Sequence, residues 1–166
     1  MTFEEAIAQA GAWLAQGVRG ETGWVEGLRA SWETELGPRA FWVSLLTGDC
    51  PWADDPPPAV VAAVAAGPPI LVELLVKNLA MSTAMALTHE RQNHPEGAAG
   101  SRQVQRRSLV FLQALRGPAL QTRLRQLQAA ALGADLEADN GDGAFLAKWG
   151  YDEAQRARSP RLWPLC

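Results

Sequence analysis

A chain of 166 residues, 48% hydrophobic and 20% charged, has the size and composition of one folded domain with a real core, which excludes an intrinsically disordered chain. A formal net charge of −3 forces no class of partner, and two cysteines, Cys50 and Cys166, are too few for a disulfide framework. The opening MTFEEAIAQA lacks the basic and long apolar regions of a secretory signal, so a cytoplasmic protein with reduced thiols is expected.

Gly and Pro punctuate the chain, and apolar residues recur between them at helical spacing. Phe3, Ile7, Ala10 and Leu14 predict a first helix, capped by Thr2, with Glu4 and Glu5 where the helix dipole favours anions, and ending near Gly17. A second helix is expected over 22–36 on Trp24, Leu28 and Trp32; Gly37 and Pro38 end it and open a third through Phe41, Trp42, Leu45 and Leu46. GDCPWADDPPP reads as a stiff surface loop, and AVVAAVAAG as a short helix.

ILVELLVKNLAMSTAMAL, residues 70–87, is apolar nearly all round, as befits a helix surrounded by others. Glu73, Lys77 and Asn78 are costly in a bilayer, so a buried core helix over about 70–92 is expected and a membrane span is not. GAAGS is expected to break the chain, with Ser101 capping a helix that carries Val104, Ser108, Phe111 and Leu115. RGPALQ is a turn with Pro118 at a first helical position, followed by Leu120, Leu124, Leu127 and Ala131 on one face up to Gly133. ADLEADNGDG is a polar loop, and Phe145, Leu146 and Trp149 anchor a last helix.

The fold predicted is all-α: a single-domain bundle of about six to eight helices around a buried central helix. That domain spans 1–155, with a point of subdivision at the Pro-rich loop 49–58, and 156–166 form an irregular tail.

Constellations that carry chemistry fail on spacing. In a helical H-E-x-x-H motif the histidines lie four apart and share one face; here His89 and His94 are five apart, which turns the second ring away by about 140°. Pro95 also pushes His94 out of helical geometry. No cofactor or metal is called for, and His89 and His94 are retained as metal-ligand candidates only against that spacing. Asn78, Ser82 and His89 form a polar seam on the central helix, but Ser82 and His89 stand about 10 Å apart, too far for a nucleophile and its base. The seam is the candidate ligand pocket. DLEADNGDG fails as a calcium loop, having Asn140 where glycine is required and Leu146 where the bidentate glutamate belongs.

Charge is distributed unevenly. Residues 97–134 hold no Asp or Glu but contain Arg102, Arg106, Arg107, Arg116, Arg123 and Arg125, while the first fifty-five residues carry nine acids against three arginines. Phe111, the aromatic in this block, falls on its apolar face, so the stacking of a nucleic-acid surface is missing and nucleic acid is not expected. The arginines instead suit an acidic surface on a protein partner, on a second copy, or on this chain's own N-terminal third. Trp52 and Trp163 sit in proline-rich segments and are interface candidates, with Arg102, Arg106, Arg107, Arg123 and Arg125.

The function expected is therefore a non-enzymatic interaction, scaffolding or adaptor protein that contacts an acidic partner or self-associates. The second reading is a bundle binding a small molecule or cofactor in a pocket near Asn78, Ser82 and His89; the third is an enzyme assembled from residues distant in sequence.

Overall fold

In a computed structural model, which describes residues 1–131, the protein is an all-α bundle. Among the described residues there are seven α-helices, a short 3-10 turn at Pro51–Ala53 and no strand: α1 (Phe3–Val18), α2 (Trp24–Trp32), α3 (Gly37–Thr47), α4 (Pro58–Ala65), α5 (Ile70–Arg91), α6 (Pro95–Leu115) and α7 (Pro118–Ala131). The expected helix on Phe145 and Trp149, the polar loop before it and the tail 156–166 lie outside the described residues.

The residues gather into two compact units. The first comprises Met1–Lys77 and Arg106–Leu115; the second, Asn78–Gln105 and, among the described residues, 116–131. The Pro-rich loop 49–58 lies wholly within the first.

In the first unit α1 starts in a capping box. Thr2 Oγ1 accepts from the Glu5 amide at 3.2 Å and Glu5 returns the bond to the Thr2 amide at 2.7 Å, so two otherwise orphaned amides are satisfied. Helix α1 packs on α2 and α3 through Ala6, Ala10 and Leu14, while the predicted Phe3 and Ile7 are only half-buried. Small residues on that face let the helices approach.

Helix α2 is shorter than expected: it begins after Gly23, whose φ of 88° needs glycine, and stops at Trp32. Thr34 ends it, donating its hydroxyl to the Ser31 carbonyl (2.7 Å) and accepting from the Gly37 amide (3.1 Å) before α3 opens on Pro38.

An aromatic chain then fills the core. Ring centroids run Trp32–Phe41 at 5.1 Å, Phe41–Trp42 at 4.8 Å and Trp42–Phe111 at 5.3 Å, tilted or edge-on as ring quadrupoles prefer. The indole N–H of Trp42 donates to the Leu71 carbonyl at 2.8 Å, tying α3 to the start of α5.

The predicted central helix is α5, with Leu71, Leu75, Val76, Leu79 and Ala80 fully buried. By length and composition α5 could cross a membrane, yet 56% of its apolar window is buried within the protein. In the second unit Thr83 returns its hydroxyl to the Leu79 carbonyl (2.8 Å) and accepts from Gln105 Nε2 (2.9 Å), while Leu120, Leu124 and Leu127 form the buried face of α7.

One expected break is absent. Helix α6 starts at Pro95 and runs unbroken through GAAGS, so Ser101 is mid-helix and caps nothing. Pro95 supplies the preset φ of a first helical residue, and the small residues that read as a loop are accommodated within the turns that follow.

Candidate functional site

A cleft of about 400 Å³ lies in the first unit between α1 and the C-terminal end of α3. Leu14, Ala15 and Val18 of α1 and Pro51 give it apolar walls, and Ser44, Cys50, Asp49 and Arg19 place a hydroxyl, a thiol and two charges on its lining. It falls in the size range of small-molecule sites, in which an apolar wall supplies affinity and a few polar groups supply orientation.

Each wall has a local cause. Gly11 brings α1 close to α3, since a Cβ there would stand 3.1 Å from Ser44 Oγ. Beyond α3 the chain turns out at Gly48, which is extended (φ −84°, ψ −176°), and Cys50 follows. Gly17, near the end of α1, admits a neighbouring ring: a Cβ there would meet Trp52 Cη2 at 2.2 Å and Trp24 at 2.9 Å, and these two indoles pack with centroids 4.9 Å apart.

Behind the cleft one guanidinium holds the loop. Arg107 of α6, only 7% exposed, donates Nη1 to the carbonyls of Leu46 (3.0 Å) and Gly48 (2.8 Å), filling acceptors left over at the C-terminal end of α3. Its Nε and Nη2 fork onto Asp54 Oδ1 and Oδ2 at 3.1 and 3.0 Å. Those hydrogen bonds hold the Asp54 carboxyl below the usual carboxylate range. Burial pushes the half-buried Cys50 thiol up, so at neutral pH it is a protonated, weakly nucleophilic group. Arg19, at the mouth, pairs with Glu21.

The predicted contact residues fall in different settings. Arg107 is buried and bonded to this chain's own N-terminal third, one of the three acidic surfaces the arginines suit, because three of its nitrogens meet acceptors on the 46–54 segment. Trp52 is half-buried against Trp24 and Gly17 and is not a free anchor. Arg102 is exposed and pairs with Glu90; Arg106, 64% exposed at its side chain, lies 3.9 Å from Asp54. Arg125 is exposed and Arg123 half-buried on α7, and Trp163 lies outside the described residues.

The polar seam belongs to the second unit, and none of its residues lines the cleft. Ser82 is 4% exposed and donates its hydroxyl to the Leu79 carbonyl at 3.1 Å, Asn78 is half-buried, and His89 sits at the far end of α5. There the expected divergence of the histidines is overturned: His89 Nδ1 and His94 Nδ1 lie 3.2 Å apart, with ring centroids 5.1 Å apart. The 100° rule failed because α5 ends between them. Asn93 takes a left-handed conformation (φ 54°) and the His94 amide donates back to the His89 carbonyl at 2.9 Å, which swings the second ring over the first.

Sequence reasoning missed the cleft. Its signal was the row of small residues Gly11 and Ala15 at i, i+4 on α1, which marks a close helix approach, together with a cysteine just after a helix end. No curated protein and no solved structure matches the chain. A family model does match residues 2–159, and the chain belongs to the family described as Uncharacterised conserved protein UCP020893.

Proposed function

We propose that the protein acts by binding and not by catalysis, and that its receptor site is the α1–α3 cleft, which takes a small amphiphilic molecule. The observation that carries this reading is the cleft's construction: apolar walls enclosing about 400 Å³, with Ser44, Cys50, Asp49 and Arg19 to orient a polar end. A rigid backing supports it, since Arg107 and the Trp24–Trp52 pair hold the loop that forms one wall, and preorganised walls cost little ordering entropy on binding. Binding is favoured over covalent chemistry by the state of the thiol. Burial raises the pKa of the Cys50 thiol on the cleft lining, which keeps it protonated and weakly nucleophilic at neutral pH.

The test is titration of the full chain with an anilinonaphthalene sulfonate, an apolar body with an anionic end. Saturable enhancement with one site per chain is expected, weakened roughly tenfold or more when exposed Ala15 becomes Phe and fills the cleft. Equal binding by wild type and Ala15→Phe, with circular dichroism unchanged, places the dye elsewhere and defeats this reading.

A second reading, a scaffolding or adaptor role towards an acidic protein surface, is favoured by the exposure of Arg102, Arg106 and Arg125 in a stretch, 97–134, without acids. It predicts complexes or self-association that weaken with salt and with Arg102→Ala and Arg106→Ala together. A monomer at every salt concentration, together with a recovered partner indifferent to both substitutions, excludes it.

A further inference from the structure

We propose that His89 and His94 form a two-imidazole site for a borderline divalent cation of the Zn2+ class, held through both Nδ1 atoms above Gly97. Three features of the second unit converge on it. The first is the bite. Two metal–nitrogen bonds of about 2.05 Å at a tetrahedral angle set the nitrogens about 3.3 Å apart. The two Nδ1 atoms stand at 3.2 Å.

The second is the space between them. A Cβ on Gly97 would lie 2.5 Å from His94 Nδ1 and 2.6 Å from His89 Nδ1, so both nitrogens face one volume that any side chain would occupy and that glycine leaves clear. The third is fixation of the rings by backbone. The His94 amide bonds to the His89 carbonyl at 2.9 Å, and Pro95 starts α6 directly after His94, so neither imidazole depends on a mobile loop for its position.

In the metal-free pair one Nδ1–H donates to the other Nδ1, and one proton occupies the line between the rings. When a cation binds, that hydrogen moves through solvent to Nε2 of its own ring, so that each neutral ring carries its hydrogen on Nε2 and presents an Nδ1 lone pair. Neutral imidazole selects Zn2+, Cu2+ and Ni2+ over Mg2+ and Ca2+, which take oxygen ligands. Among the described residues no third His, Cys, Asp or Glu completes a cluster, and the neighbouring Glu90 carboxylate engages Arg102. Among the described residues the remaining coordination positions have no protein ligand and are open to water or a small anion.

The full chain, with Cys166→Ser to remove an exogenous thiol ligand, is titrated with ZnCl2 by calorimetry, using MgCl2 as the control. One Zn2+ per chain and no heat from Mg2+ are expected. His89→Gln and His94→Gln each weaken binding roughly tenfold or more, and Gly97→Ala does the same with both histidines intact. A measurement on the unmutated pair guards against misfolded variants: bound Cu2+ shows electron paramagnetic resonance splitting from two imidazole nitrogens. Absence of saturable binding at millimolar Zn2+, binding that ignores all three substitutions, or a Cu2+ spectrum without two-nitrogen splitting each overturns the site.

Discussion

Arg107 and Asp54, fifty-three residues apart in sequence, meet as a two-bonded fork with Nε–Oδ1 at 3.1 Å and Nη2–Oδ2 at 3.0 Å. The same guanidinium satisfies two carbonyls at the end of α3, so one side chain of α6 sets the loop that walls the cleft. Arg107→Ala leaves those carbonyls without their charged donor and should cost about 2–4 kcal/mol in urea unfolding. Lysine should recover little of that loss, because a point charge cannot fork onto a carboxylate and reach two carbonyls as well. A full rescue by Arg107→Lys would show that charge alone matters here.

The Asp54 carboxyl yields a pH prediction of definite sign. Hydrogen bonds from Arg107 lower its folded-state pKa, so the folded protein binds that proton less readily than the unfolded chain. The stabilisation is present above the unfolded value, about 3.9, and is lost as pH falls through the lower folded value. Its size is small, under about 1 kcal/mol, because Asp54 is half exposed and solvent screens the pair. Wild type should therefore exceed Asp54→Asn in stability at pH 7, with the gap closing well below pH 4; a gap that widens in acid contradicts the fork.

Two helical glycines make a paired test. Gly17 of α1 faces Trp52, and Gly17→Ala should destabilise by about 1–2 kcal/mol even though alanine is the better helix former, since the rigid indole must shift. Gly100 of α6 has open space around it, and Gly100→Ala should stabilise by about 0.5–1 kcal/mol. Thermal unfolding of both variants, with the tryptophan emission of the first, checks the pair. Shifts of the same sign would mean that the Trp52 packing is not as described.

Cys50 should react slowly for a free thiol. Burial raises its pKa and walls screen it, so in Cys166→Ser protein alkylation at neutral pH should run about tenfold slower than for an unstructured cysteine and accelerate with rising pH. A cleft ligand should slow it further. Rates that match a model peptide would place the thiol in open solvent.

Much of the helical order was legible in the sequence. Thr2 and Glu5, Pro38, Pro118 and the run from Ile70 each announced an element, because caps, preset φ angles and a 3.6-residue period act within a few residues of chain. GAAGS was misread by the same logic. Glycine and alanine runs are ambiguous locally, and Pro95 determined the outcome from outside the run.

The all-α class, the position of the long apolar helix and the unequal division of charge can be read from the order of residues, since periodicity and composition need no distant partner. Packing in three dimensions turns Arg107 inward to Asp54, lays Trp52 over Gly17, and gathers Cys50 with Leu14 and Ser44 around a cleft. A left-handed Asn93 folds His94 back on His89. These outcomes depend on contacts between residues far apart in sequence or on one backbone turn, and side-chain spacing along an ideal helix carries no information about either.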